Sequence, residues 1–120
     1  MTIRVLIVED NRDIRALFEA GLVMRGYVVE TAADGEAALA RLAEMMLPPS
    51  VIVADLHMPV MDGWDLLTAL AADPRWSSIP VIVLTAADDA TRSAPRPPTI
   101  LIKPVALADL AAAINAAVGA

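Results

Sequence analysis

Short apolar runs alternate with amphipathic stretches along the whole chain. Ile3–Val8 is a short, β-branched, nearly all-apolar run, as expected for a strand covered on both faces. Arg12–Arg25 carries Ile14, Leu17, Phe18 and Leu22 at helical spacing, and Gly26 follows as a stop. Tyr27–Thr31 reads as a second strand and Asp34-Gly35 as a turn. The alanine-rich stretch from Glu36 to about Met46, with Leu39 and Leu42 on one side, reads as a helix ended by Pro48-Pro49. Val51–Ala54 is a third buried strand closed by Asp55. Leu56–Gly63 is a loop, with Asp62-Gly63 read as a turn, and Trp64–Ala72 a short helix. Val81–Leu84, closed by Thr85, and Thr99–Ile102, followed by Lys103-Pro104, are the fourth and fifth strands. Ala106–Val118 places Leu107, Leu110, Ile114 and Val118 on one helical stripe.

Five apolar strands alternating with helices predict an α/β fold, a doubly wound parallel sheet covered on both faces. Right-handed crossovers restrict the topology, and strand order 2-1-3-4-5 is the natural expectation. No repeat or linker interrupts the pattern, so residues 1–120 are read as one domain. In that order strands one and three are neighbours, and the ligand crevice lies at their carboxyl ends.

Composition narrows the class. Of 120 residues 58% are hydrophobic, but 24 of those 69 residues are alanine, and the remaining 45 are normal for a compact domain rather than a membrane protein. No apolar run approaches the ~18 residues that span a bilayer, and the N-terminus does not read as a secretory signal, so a cytoplasmic location is expected. The absence of cysteine excludes disulfides, thiolate metal sites and a cysteine nucleophile. A net charge of −6 argues against direct contact with nucleic acid or an anionic membrane. Eight of the nine basic residues are arginine, leaving Lys103 as the only lysine.

The polar residues at the predicted strand ends carry the chemistry. Strand one ends in Glu9-Asp10, strand three in Asp55, strand four in Thr85 and strand five in Lys103. Each alone has a plainer reading: loop acids, helix caps, a strand-end threonine, a solvated lysine. Together they place three carboxylates, a hydroxyl and an ammonium in one crevice. Carboxylates that close repel and raise one another's pKa values. A hard divalent cation relieves the repulsion, and magnesium suits carboxylate, water and phosphate oxygens best. The set fits phosphoryl transfer, which is mostly positioning and charge neutralisation. With no cysteine, and no serine at a strand end, the covalent acceptor is expected to be a carboxylate.

Over nearly its whole length the chain resembles the receiver domain of two-component response regulators. The resemblance rests on Glu9-Asp10 after Val5-Leu6-Ile7-Val8, on Asp55-Leu56-His57-Met58-Pro59-Val60-Met61-Asp62-Gly63, on Leu84-Thr85-Ala86 and on Lys103-Pro104. It implies a flavodoxin-like fold in which Asp55 accepts a phosphoryl group from a histidine kinase or phosphotransfer protein. Magnesium would be held by Glu9, Asp10, Asp55 and the backbone carbonyl of His57. Lys103 would pair with the phosphoryl group, Thr85 would shift to hydrogen-bond it, and the small Ala86 would leave the acceptor open. Lys103-Pro104 is a candidate cis peptide. A downstream protein, or a second copy of the chain on phosphorylation, would receive the signal. Any enzymatic activity would be limited to magnesium-dependent phosphorylation and dephosphorylation at Asp55, and not a metabolic reaction.

Two departures from the family pattern concern the readout. The stretch between Thr85 and Lys103 is short, and Ala86–Pro98 has no apolar stripe and contains Pro95, Pro97 and Pro98. The fourth helix is therefore expected to be shortened or missing. Ile100 stands where the family usually has a tyrosine or phenylalanine, so the usual aromatic readout is in doubt. Both features favour an alternative reading, a receiver-like interaction module independent of phosphate, which the complete acidic cluster opposes. A magnesium-dependent phosphatase is a third reading. Its general acid would stand two residues past the nucleophile, where this chain has His57, and the chain has no room for a substrate cap.

Overall fold

In this computed structural model the described residues are 2–58, 60–86 and 98–119. They form β1 (Arg4–Val8), α1 (Arg12–Met24), β2 (Val28–Ala32), α2 (Gly35–Glu44), β3 (Val51–Asp55), α3 (Gly63–Ala72), β4 (Val81–Thr85), β5 (Thr99–Ile102) and α4 (Leu107–Ala117). All strand pairs are parallel, in the order β2-β1-β3-β4-β5. The strand order read from the apolar runs and the flavodoxin-like fold that the resemblance implies are the ones observed. The expectation of a shortened or missing fourth helix falls on a segment of which residues 87–97 lie outside the described ones.

Alternation along each strand explains why β3 is buried throughout and β1 from Val5 onward. Leu6, Val8, Ile52 and Ala54 face one side, packed with Ala38 and Leu42 of α2 and Leu66 and Leu70 of α3. Val5, Ile7, Val51 and Val53 face the other, against Leu22 of α1 and Leu110 and Ile114 of α4. Two covered faces leave the polar residues at the strand ends as the natural place for chemistry.

Local signals set the helix starts. Asn11 caps α1 by accepting from the backbone N–H groups of Asp13 and Ile14, Asp34 caps α2 through Ala37, and Asp62 caps α3 through Asp65. Asp62-Gly63 is therefore a helix start and not merely a turn. Met46, the expected end of the second helix, lies beyond the end of α2 and is 98% exposed.

β2 is one edge of the sheet. Its Val28 and Ala32 exchange hydrogen bonds with the β1 side, so the backbone of Thr31 between them faces outward. Arg41 of α2 donates from Nε to that Thr31 carbonyl at 2.9 Å, and from its guanidinium to Glu30 Oε2 at 2.6 Å.

Candidate functional site

β1 and β3 are adjacent, so their carboxyl ends bring Glu9-Asp10 and Asp55 together. One carboxylate oxygen from each of Glu9, Asp10 and Asp55 lies within 4.8 Å of the others. Glu9 and Asp55 are buried, at 3% and 5% exposure, and Asp10 is exposed. Lys103, just past β5, donates from Nζ to Asp55 Oδ1 at 2.8 Å. Its backbone N–H goes to the Thr85 carbonyl at 2.8 Å, which ties the end of β5 to the end of β4. The Lys103-Pro104 peptide is cis.

The remaining predicted residues surround this cluster. Thr85 is buried at the end of β4, and its hydroxyl donates to the Ala86 carbonyl at 3.2 Å. Ala86 is exposed. His57 is exposed two residues past Asp55. Ile100 is half-buried on β5 opposite Val83, two residues before the position level with Thr85, so it stands behind the cluster and not in it.

Two residues near the site have roles that their place in the sequence does not by itself show. Gly63 opens α3 with its N–H on the Leu56 carbonyl at 2.8 Å, and a Cβ there would stand 3.0 Å from both the Asp55 carbonyl oxygen and Leu56 Cα. Glycine is needed because a helix start is packed directly on the backbone of the acceptor strand. Arg15 of α1 reaches back to donate to the Glu9 carbonyl at 2.7 Å. Its place one helical turn after the capping residue Asn11 was the available signal.

The electrostatics show what the cluster lacks. Burial first, then the neighbouring Asp55 charge and its hydrogen bond, push the Glu9 carboxyl from 4.5 up to about 7. Lys103 and the Asn11 N–H pull the other way without cancelling this. Hard oxygen donors in excess of the local positive charge suit a divalent cation such as magnesium. The residues present fit that ion.

A stability profile follows from Glu9. Between pH 4.5 and about 7 the folded chain keeps a proton that the unfolded chain has released. Stability therefore falls as pH rises through that window, by at most about 3 kcal/mol. Thermal melts of magnesium-free protein should show Tm dropping across the window by more in the wild type than in Glu9→Gln. Equal slopes would remove Glu9 as the cause.

The comparisons agree with this geometry. The family model described as response regulator receiver domain matches residues 5–115. The transcriptional regulatory protein PrrA of Mycobacterium leprae is 40% identical over 117 residues, covering 94% of this chain and 48% of PrrA. The response regulator PleD of Caulobacter vibrioides is 41% identical over 88 residues, covering 73% of this chain and 19% of PleD. The chain thus spans about half the length, or less, of these curated relatives. Among solved structures, a receiver domain protein from Clostridium thermocellum superimposes with a TM-score of 0.87 at 27% identity, covering 98% of this chain and 94% of the other. The receiver domain of the sensor histidine kinase PA1611 from Pseudomonas aeruginosa, with a magnesium ion coordinated in its active-site cleft, gives a TM-score of 0.84 at 26% identity over the full length of both chains.

The chain belongs to the response regulator receiver domain family, the receiving component of two-component signalling. Receiver domains bind magnesium at an acidic pocket and interact with histidine kinases and downstream effectors. Among the described residues, no helix is long and apolar enough to cross a membrane.

Proposed function

We propose that the chain is a single phospho-acceptor receiver unit in which Asp55 takes a phosphoryl group from a phosphohistidine of a kinase or phosphotransfer protein. The observation that carries the reading is the Glu9, Asp10 and Asp55 cluster with Lys103 on Asp55. Glu9, Asp10, Asp55 and the backbone carbonyl of His57 would hold magnesium. When bound, the ion supplies positive charge to the acidic pocket and to the oxygens of the transferring group.

The Asp55 oxygen that Lys103 does not hold forms a bond to phosphorus as the phosphorus–nitrogen bond of the donor breaks, its electron pair leaving on the imidazole. Lys103 holds the other Asp55 oxygen before transfer and follows the phosphoryl charge afterwards. Thr85 exchanges its bond to the Ala86 carbonyl for one to a phosphoryl oxygen, and the methyl side chain of Ala86 leaves the approach open. The absence of an aromatic at position 100 supports an output route other than the usual aromatic swing.

Incubation with acetyl phosphate and magnesium tests the reading. Base-labile, acid-stable label should appear on the wild-type chain and disappear when the metal is chelated. No label under any condition would replace this reading with that of a phosphate-independent interaction module.

A further inference from the structure

A continuing β-strand sends successive side chains to opposite faces. Glu9 and Asp10 are successive residues, yet a carboxylate oxygen from each reaches the same cluster. The backbone must therefore leave strand geometry between them, and β1 does stop at Val8 with a bend at Asp10. The departure strands one polar group. The Glu9 N–H still bonds β2, at the Ala32 carbonyl, 3.0 Å away. In a continuing parallel strand the Glu9 carbonyl would face the same neighbour. Here it is taken instead by the Arg15 guanidinium at 2.7 Å. Three further bonds complete the turn: the Asn11 N–H to Glu9 Oε1 at 3.3 Å, and those from the Asp13 and Ile14 N–H groups to the Asn11 side chain that caps α1.

We infer that Arg15 is a positioning residue for the cation site, holding the Glu9–Asp10 peptide in the one orientation that lets both carboxylates serve a single ion. The inference rests on the magnesium reading above. Arg15 suits the task because α1, which carries it, is anchored by its cap and by Leu22 in the core. The guanidinium thus comes from a rigid element to fix a loop that has no ladder of its own. Removing a partner that orients a ligand typically weakens metal binding by ~10–100-fold. A positive charge near the cluster works in the other direction, since it repels the cation. The sign of the effect therefore separates the two roles.

Isothermal titration with magnesium chloride of the full chain, as wild type, Arg15→Ala and Arg15→Lys, tests this, with metal-free thermal melts alongside. Arg15→Ala should bind magnesium about tenfold more weakly. Arg15→Lys, which can still donate to the Glu9 carbonyl, should recover most of the loss. If Arg15 acted only as a nearby charge, Arg15→Ala would bind more tightly. If it acted only as a strut for the fold, the melt would fall and the affinity would stay. Either result, or a lysine variant as weak as the alanine one, overturns the inference and leaves the magnesium reading standing. Wild-type protein that takes up no magnesium overturns both. Should Arg15→Ala fail to fold, Arg15→Met, which keeps most of the aliphatic stem but removes the donor and the charge, should show the same loss of affinity.

Discussion

Asp55→Asn is expected to abolish phosphoryl labelling while leaving the fold intact. The substitution is nearly isosteric, and the amide oxygen can still accept from Lys103 Nζ, now 2.8 Å from Asp55 Oδ1. The amide cannot act as the nucleophile, so the covalent product is lost entirely. The same change removes a negative charge beside Glu9. Asp55 is the second cause, after burial, of the rise in the Glu9 carboxyl to about 7. Its removal should lower that carboxyl toward the value burial alone sets, and so narrow the pH window over which stability is lost. Labelling with acetyl phosphate and melts across that window measure the two effects separately. Residual label on the variant would mean that another residue is the acceptor.

Lys103→Met is expected to slow labelling by about 100-fold at saturating magnesium, the scale found when a positioned charge-stabilising group is removed from a reaction centre. Methionine keeps most of the aliphatic stem, so the packing beside the cis Lys103-Pro104 bond changes little. What is lost is the charge on the acceptor and then on the transferring group. Saturation with metal matters, because removing an ammonium from the pocket should also ease magnesium binding and mask part of the defect. The lysine side chain is 41% exposed against 6% for Asp55. With one partner so open to water, the ion pair contributes to stability only about 1 kcal/mol or less. Rate and stability should thus separate: a large fall in labelling and a small one in Tm. A wild-type labelling rate in the variant would show that Lys103 pairs with Asp55 without taking part in transfer.

The strands and their order were legible because a parallel sheet buried on both faces has to be written in unbroken apolar runs. Val51–Asp55 shows this most plainly, being buried from end to end. Given the order, topology brings together the strand ends that carry Glu9-Asp10, Asp55 and Lys103. What did not show in the sequence depends on close approach or on a local backbone turn. Gly63 reads as turn punctuation, and only the fold shows it backing onto the carbonyl of Asp55. Arg15 reads as a solvated helix charge until the bend after β1 turns a carbonyl toward it. Val60 adopts a left-handed backbone, with φ at 68°. A β-branched residue is the last one a propensity argument would place there. The second helix reads as running to about Met46 because periodicity cannot tell the last turn of a helix from the residues just past it.

Arg41 has a meaning for how this chain avoids its own kind. An unpaired edge strand offers a row of backbone donors and acceptors to any passing chain, the template from which sheets extend into aggregates. On β2 the outward Thr31 carbonyl already belongs to Arg41, whose guanidinium is further tied to Glu30. An intruding strand would have to strip away that partner and strand its charge. At this point of the β2 edge, one side chain and its ion pair oppose an added strand.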